Sequence, residues 1–438
     1  MSTARIALDV LCAVTYDDAY ANLALDKALS HTKNAHDERF VRALVYTALE
    51  HLAHIDYVTE HYVKGRQHRV IKNILRLGVC QILFMQRPKS AVCNECVSLT
   101  REVGKAPLAG YVNAVLRNIC KCAEENELPG LPRNITERLY VETGYPMWLI
   151  SEYTERFGAE RAEAILKYTD STQSVRVQYP FDADSFEKYC SENGVNFEKN
   201  TDDENVFRIS GFHKITDSEL FLSGKITLQS AASAMVCRLC DVKPHMRILD
   251  ACAAPGGKSA YLASLTKGEC EITACELHEH RRLLTEKTFE RLHVSCAKAY
   301  TRDMTVKNPD WEGLFDVVLC DVPCSGLGVT GKPDARYRKD ANSVSEITKT
   351  QWEILHTCAD YVKVGGSLIY STCTVSFSEN ERIIERFLSK HKEFLPDSRM
   401  GVNISPRIQN RCKDGMLHIL PDTDGTDGFF ASKLVRIK

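Results

Sequence analysis

The sequence lacks a long hydrophobic segment near its first residues, and it lacks a strong net charge of either sign. The opening stretch MSTARIALDVLCAVTYDDAYANLAL mixes charged with apolar side chains, so neither a signal peptide nor a membrane span is expected. The 438 residues include 56 basic and 58 acidic side chains, so the overall charge does not imply that the chain as a whole binds a polyelectrolyte. We therefore expect a cytoplasmic protein with no membrane partner, long enough for two or three domains.

The cysteines do not form the dense framework of a small secreted protein. All eighteen are scattered through apolar patterns, as expected in a reducing compartment. Two pairs, Cys93/Cys96 and Cys237/Cys240, have the spacing of metal ligands, but both lie in helix-like stretches without a nearby histidine cluster. Because residues three apart share one helix face, we interpret both pairs as packing and predict no metal. A zinc or redox site is the alternative.

The N-terminal region combines helical periodicity with an uneven charge. Apolar residues recur at three- and four-residue spacing up to about residue 122, and turns fall at KGRQ, RPKS and KAPLAG. Residues 61–123 hold eleven basic and two acidic side chains. We interpret this region as a helical bundle with one basic face that binds phosphate, with Arg66, Arg69 and Lys72 as candidate RNA contacts. A solvated surface is the alternative.

Further along the chain the pattern changes twice. The Pro/Gly-rich segment ENELPGLPRN predicts a linker, and the residues after it mix helical and strand patterns. From residue 247, short apolar runs alternate with helix-like segments, which favours a mostly parallel sheet covered by helices. The predicted domains are 1–125 (all-α), 135–230 (small α+β) and 231–438 (α/β).

The strongest local signal is LDACAAPGGKSAYLASL, where a buried strand ends and a helix opens near Lys258. Neither a phosphate-binding P-loop nor a GxGxxG fingerprint is present. Gly256 and Gly257 allow a ligand to approach the main chain closely. Glu276 ends the next strand, where it can accept hydrogen bonds from ribose, and Asp303 follows the third strand, where it can meet an adenine amino group. A nucleoside cofactor without a pyrophosphate explains this set best, and S-adenosyl-L-methionine fits.

Two cysteines follow the next two predicted strands. Cys324 lies in DVPC and Cys373 in STC, and in a doubly wound sheet both positions open onto the cofactor crevice. A thiolate beside a methyl donor suits C5 of cytosine. Addition of the sulfur to C6 makes C5 nucleophilic, a base then removes the C5 proton, and the thiol leaves by elimination. A carboxyl group such as Asp321 near N3 would stabilise charge on the ring.

Several blocks of the sequence resemble the signatures of the NOL1/NOP2/Sun family of RNA cytosine-5 methyltransferases: DACAAPGGKS, DVPCSGLG, YSTCTVSFSENE and GTDGFFASKLVR. The N-terminal half is similar to the RNA-binding domain of the antitermination factor NusB, in DERFVRALVYTALEHLAHID, ILRLGVCQILF and YVNAVLRNI. The pairing is typical of the bacterial Sun/Fmu group of 16S ribosomal RNA methyltransferases. The resemblance implies a Rossmann-like domain with a seven-strand, mostly parallel sheet, preceded by a NusB-like helical domain and a small α+β linker subdomain.

The resemblance also implies the residues of the site. It implies Cys373 as the nucleophile and Cys324 as the residue that helps to release the product. Asp321 joins the predicted catalytic set through its expected effect on the charge of the ring. The implied cofactor contacts are Cys252, Ala253, Ala254, Pro255, Gly256, Gly257, Lys258, Glu276, Asp303 and Asp321. The expected RNA contacts are Arg66, Arg69, Lys72, Lys332 and Arg336.

The hypothesis from the sequence is S-adenosylmethionine-dependent methylation of a cytosine in RNA, with 16S ribosomal RNA as the expected substrate and a monomer as the expected state. The alternatives are a non-catalytic RNA-binding assembly factor, an enzyme acting on transfer RNA or another RNA, and a DNA methyltransferase. Intact Cys324, Cys373 and Asp321 argue against a pure binding protein. The second cysteine block and the NusB-like region argue against DNA, since DNA cytosine methyltransferases use the cysteine of a Pro-Cys block.

Overall fold

Helices dominate residues 3–167 in this computed structural model, which describes residues 2–30, 32, 34–170, 172–210, 215–329, 333, 336 and 341–438. The helices are α1 Thr3–Tyr16, α2 Ala21–Leu29, α3 Ala35–Glu50, α4 Leu52–Glu60, α5 Arg69–Leu83, α6 Lys89–Glu102, α7 Ala109–Glu125, α8 Ile135–Thr143, α9 Met147–Phe157 and α10 Ala159–Lys167. The apolar faces of α1–α7 meet in one core, where Leu44, Ile74 and Leu116 are fully buried. The three-and-four spacing of apolar residues thus produces the predicted helical region.

The chain divides into two compact units that do not coincide with the three predicted domains. The units comprise residues 1–167 with 332–340, and residues 168–331 with 341–438. Between α7 and α8 the linker is tied to the bundle, because Tyr57 donates a hydrogen bond to the Gly130 carbonyl at 2.6 Å. The first unit includes α8–α10, which the sequence had assigned to the small α+β domain. The three predicted domain boundaries stay a prediction.

A small antiparallel sheet begins the second unit. Its elements are β1 Gln173–Val177, α11 Ala183–Glu192, β2 Asn196–Lys199, β3 Val206–Ser210, α12 Glu219–Leu222 and β4 Ile226–Leu228, in the sheet order β2-β3-β1-β4. Phe186 of α11 packs with Phe207 of β3 in its core. Arg176 of β1 is fully buried and lies 4.5 Å from the ring centre of Tyr261, which joins this sheet to the following α/β region.

The rest of the unit is an α/β sheet flanked by helices. Its elements are α13 Ala231–Leu239, β5 Arg247–Asp250, α14 Gly257–Leu265, β6 Glu271–Glu276, α15 Glu279–Arg291, β7 Ala297–Thr301, β8 Phe315–Asp321, α16 Ala341–Ala359, β9 Val362–Thr372, α17 Glu381–Lys390, β10 Phe394–Pro396, α18 Pro406–Gln409, β11 Met416–Ile419, α19 Pro421–Asp424 and β12 Phe429–Arg436. The sheet order is β10-β12-β9-β8-β5-β6-β7, and β11 pairs with β12 as an eighth strand. The strands β5, β6, β7, β8 and β9 form the parallel part of the sheet, which confirms the predicted fold class. Among the described residues this sheet has eight strands where seven were predicted, because β10 and β11 both pair with β12.

Candidate active site

The predicted catalytic and cofactor residues gather at one edge of the large sheet. β5 and β8 are neighbours, so the strand order reverses between them, and ligands of open α/β sheets bind at such a point. β6 ends at Glu276 and β8 ends at Asp321. Cys324 and Cys373 follow β8 and β9. Because parallel strands end on the same edge, the structure brings these residues together.

The turn between β5 and α14 is shaped by Gly256. This residue has a φ of +97°, a conformation that residues with a side chain rarely adopt. A Cβ atom there would lie 3.1 Å from Cγ2 of Thr285 and 3.2 Å from Cε1 of Phe289, so the turn packs directly on α15. The first amides of α14 have no partner within the helix and can bind a ligand. This cradle of main chain fits a nucleoside-bearing cofactor.

Glu276 is held by a neighbour that the sequence reasoning did not single out. The Glu276 residue is 5% exposed, its Oε1 accepts a hydrogen bond from the His278 amide at 3.1 Å, and Nη1 of Arg281 lies 3.2 Å from Oε2. Arg281 also donates to the Ala254 carbonyl at 3.3 Å, so it connects Glu276 to the turn. The signal for Arg281 was weak, because one basic residue among several on α15 does not reveal its partner.

Two other carboxyl groups, one at the end of β5 and one after β7, have contrasting surroundings. Asp303 is exposed, and its Oδ1 accepts hydrogen bonds from the amide and the hydroxyl of Thr305 at 2.9 and 2.7 Å. Asp250 ends β5, is 1% exposed and accepts a 2.6 Å hydrogen bond from Ser259. Burial raises the pKa of Asp250 to about 6, and the hydrogen bond from Ser259 opposes this shift. Asp250 can therefore change its protonation closer to neutral pH than an ordinary aspartate.

The thiols of Cys324 and Cys373 lie side by side. Their Sγ atoms are 3.1 Å apart, and both residues are partly exposed. The hydrogen bond with Cys373, and then burial, raise the pKa of Cys324 well above that of a free thiol. The raised pKa favours the protonated form of Cys324 at this 3.1 Å contact between the two sulfurs. Because both cysteines follow buried strands, the sheet fixes their separation.

Lys258 and Asp321 form an ion pair in the same part of the site. Nζ of Lys258 is 2.8 Å from Oδ2 of Asp321, and Ser371 donates to Oδ1 at 2.7 Å. Burial alone would lower the pKa of Lys258, but Asp321 and, more weakly, Cys237 and Cys373 raise it above the usual value. The ammonium therefore stays charged and lies within electrostatic reach of Cys373.

A fully buried carboxylate, Glu379, fixes the segment that carries Cys324. Oε2 of Glu379 accepts hydrogen bonds from the Ser325 amide at 2.8 Å and from the Gln351 side chain at 3.0 Å. Gln351 also donates to the Pro323 carbonyl at 2.9 Å. The main chain is thus held on both sides of Cys324. Glu379 was visible in the block YSTCTVSFSENE, whereas Gln351 lies in α16 without a motif of its own.

The basic residues predicted to contact RNA in the helical bundle differ in their surroundings. Arg66 and Arg69 are exposed. Lys72 is half-buried, and its Nζ lies 3.0 Å from Oδ2 of Asp56. The charge of Lys72 is therefore compensated within the bundle, and Arg66 and Arg69 are the better candidates for phosphate contacts.

The two further residues predicted to contact RNA lie in the segment KPDARYRK. Arg336 is only 8% exposed, donates to the Thr143 carbonyl at 2.8 Å and lies 4.4 Å from the ring centre of Tyr145. This leaves its guanidinium little surface for RNA, so Arg336 is a poor candidate for an RNA contact. Lys332 lies outside the described residues.

The CxxC pairs lie in apolar surroundings. All four cysteines are buried, and three of their thiols donate to main-chain carbonyls: Cys96 to Ile74, Cys237 to Ser233 and Cys240 to Val236. Such contacts are typical of packing cysteines. Within the described ranges, no three His, Cys, Asp or Glu side chains are grouped to hold a metal ion. In that same part of the chain, every helix is too short or too polar to cross a membrane.

Comparison with known proteins gives matches to both halves of the chain. Residues 238–435 match the family described as 16S rRNA methyltransferase RsmB/F, and residues 1–121 match the NusB family. A probable ribosomal RNA small subunit methyltransferase B of Bacillus subtilis is 32% identical over 98% of this chain and 97% of its own. A protein of Synechocystis with the same description is 30% identical over 99% of both chains.

Solved structures with the same architecture are also found. PH0851 is 24% identical, with a TM-score of 0.81 over 100% of this chain and 99% of its own, which shows a shared fold. A methyltransferase homologue from Pyrococcus horikoshii is 25% identical, with a TM-score of 0.57, and covers 70% of this chain and 100% of its own.

Proposed function

The chain belongs to the ribosomal RNA small subunit methyltransferase B family, and we propose that it transfers a methyl group from S-adenosyl-L-methionine to C5 of a cytosine in 16S ribosomal RNA. The observation that best supports methylation at C5 is the pair of thiols, Cys324 and Cys373. Their sulfurs are 3.1 Å apart, just after the carboxyl ends of β8 and β9. Most methyl transfers need no thiol, whereas an unreactive ring carbon needs covalent activation. A non-catalytic assembly factor would have no use for this pair.

The residues predicted from the sequence would hold the cofactor. The turn at Gly256 would receive the nucleoside part, Glu276 would accept hydrogen bonds from ribose, and Asp303 would offer an oxygen to the adenine amino group. Arg281 joins this set by orienting Glu276. The bound cofactor supplies an electrophilic methyl group.

The thiols and the ion pair then act on the cytosine ring. The Cys373 sulfur bonds to C6, and the displaced electron pair makes C5 a nucleophile that accepts the methyl group. Lys258, paired with Asp321, provides positive charge near the thiolate and the ring. A base then takes the C5 proton, the C5–C6 double bond re-forms, and the C6–S bond breaks. Cys324, whose sulfur lies 3.1 Å from that of Cys373, gives a proton to the departing Cys373 sulfur.

The substrate is tested by methyl transfer from labelled S-adenosylmethionine to unmodified 16S ribosomal RNA, transfer RNA and DNA in parallel. We expect label only in the ribosomal RNA, recovered as 5-methylcytosine after digestion. Label in transfer RNA instead would mean that transfer RNA, and not ribosomal RNA, is the substrate. Label in DNA would contradict the assignment to RNA. Binding of ribosomal RNA and cofactor without any methyl transfer would favour the assembly-factor alternative.

Replacing Glu276 by alanine should weaken binding of S-adenosylmethionine by about 1–3 kcal/mol, because a buried hydrogen-bond acceptor is lost. Asp303→Ala should cost less, about 0.5–1.5 kcal/mol, because Asp303 is exposed. Titration calorimetry on the full chain measures both. Asp310→Ala removes another exposed carboxylate shortly after β7 and should leave the affinity unchanged. Unchanged affinity in the Glu276 and Asp303 variants would remove both from the site.

Reversing the charges of Arg66 and Arg69 to glutamate should weaken binding of ribosomal RNA and make it less dependent on salt. Each phosphate contact that is lost should lower the slope of log affinity against log salt by about 0.7–0.9, because fewer counterions are released. Filter binding over a range of salt concentrations measures the slope. The double reversal of Lys188 and Lys392, both exposed, makes the same charge change elsewhere and should not alter it. If both double variants changed the salt dependence equally, the basic region would be only a solvated surface and would not contact RNA.

A further inference from the structure

A second pair of close thiols lies away from the site described above. Cys270 immediately precedes β6 and Cys296 immediately precedes β7. Both therefore lie at the amino ends of parallel strands, whereas Cys324 and Cys373 follow carboxyl ends. The Sγ atoms of Cys270 and Cys296 are 3.8 Å apart, and both residues are partly exposed. The methyl-transfer mechanism uses neither of them.

We propose that Cys270 and Cys296 form a reversible disulfide when the protein meets hydrogen peroxide. In the first step the Cys270 thiolate attacks one peroxide oxygen, the O–O bond breaks, and the other oxygen leaves as water after it takes up a proton. In the second step the Cys296 sulfur attacks the resulting sulfenic acid, the S–S bond forms, and the S–O bond breaks with release of a second water. Two thiols are oxidised, and one peroxide is reduced to two waters.

The geometry of the pair suits this reaction. Sulfurs in a disulfide are about 2.05 Å apart, so the two thiols must approach by roughly 1.8 Å, a change of side-chain rotamer. The hydrogen bond with Cys296, together with one from Thr266 at 3.0 Å, lowers the pKa of Cys270 to about 7, and the pKa of Cys296 rises. Because the Thr266 hydroxyl donates to the Cys270 sulfur, we assign Cys270 as the thiolate that meets peroxide and Cys296 as the thiol that resolves the sulfenic acid.

The helical bundle contains a matched pair that serves as the control. The Sγ atoms of Cys93 and Cys120 are 4.0 Å apart, almost the same separation. Both residues are buried, at 5% and 9% exposure, and burial raises the pKa of Cys120 to about 12. The two pairs thus differ in acidity and access rather than in distance. If distance alone decided oxidation, both would react alike.

The experiment treats the dilute full-length protein with increasing hydrogen peroxide, blocks the remaining thiols with iodoacetamide, and maps disulfide-linked peptides by mass spectrometry. We expect the Cys270–Cys296 crosslink at peroxide concentrations at least about tenfold below those that oxidise Cys93 and Cys120. Dithiothreitol should remove it. Peptide mapping separates it from any crosslink between Cys324 and Cys373.

Two variants complete the test, and circular dichroism melting checks that each is folded. Cys270→Ser and Cys296→Ser should both lose the crosslink, and Cys296→Ser should accumulate a sulfenic acid at Cys270 that a dimedone probe captures. The proposal is overturned if both thiols remain free for alkylation when Cys93 and Cys120 are oxidised. It is also overturned if Cys270 bonds only to cysteines of other molecules, seen as dimers on a non-reducing gel.

Discussion

Replacing Cys373 by alanine should lower methyl transfer by at least about 10⁴-fold, because this sulfur is the group proposed to bond to C6 of the ring. Affinity for S-adenosylmethionine should change by less than about twofold, since the proposed cofactor contacts are the turn at Gly256 and Glu276. Single-turnover transfer of labelled methyl groups measures the first quantity, and calorimetry measures the second. A variant that still transferred methyl groups at a tenth of the original rate would contradict the assignment.

Replacing Cys324 by alanine should have a different consequence. The ring can still be attacked and methylated, but the sulfur of Cys373 loses the thiol 3.1 Å away that is proposed as its proton donor. Protein should therefore remain attached to RNA, visible as a slow band on a denaturing gel. Cys412→Ala, which removes another partly exposed thiol, should give no such band. If the band appeared with Cys373→Ala and not with Cys324→Ala, the two roles would be reversed.

The parts of the site that could be predicted are those set by short-range patterns. β5, β6 and β8 are short apolar runs followed by turn residues, and the side chains just after parallel strands meet at one edge of a sheet. This is why Glu276, Cys324 and Cys373 could be placed together from the sequence. Arg281 and Gln351 could not, since each acts through a partner that only the packing of helices against the sheet brings near.

The free charge of the helical bundle also could not be predicted from the sequence alone. Counting along the chain gives a strongly basic run, but the fold pairs part of it with acids from other helices. Lys72 and Arg76 of α5 share Asp56 of α4, at 3.0 and 2.6 Å. Lys89 of α6 lies 3.1 Å from Glu124 of α7. A count of charged residues along the sequence does not include these ion pairs. It therefore overstates the free positive charge available to RNA.

Breaking the ion pair between Lys258 and Asp321 should reduce both stability and activity. Lys258→Met leaves a carboxylate without its cation, and Asp321→Asn leaves a largely buried ammonium without its anion. Each should lower the free energy of unfolding by roughly 2–4 kcal/mol, less than for a fully enclosed pair because the side chains are 15% and 23% exposed. Methyl transfer should fall by about 10²–10³-fold, because positive charge near the ring is lost or loses its position. Urea unfolding and single-turnover transfer measure the two effects.

The double variant, Lys258→Met with Asp321→Asn, separates the two effects. It leaves no unpaired charge, so much of the lost stability should return, and the two destabilisations should not add. Activity should stay as low as in the single variants, because the ammonium near Cys373 is still missing. Alkylation of Cys373 by iodoacetamide should slow in both variants that lack Lys258, since the thiolate loses a favourable charge. If activity returned together with stability in the double variant, the pair would serve only to hold the fold, and the charge acting on the ring would have to come from elsewhere in the site.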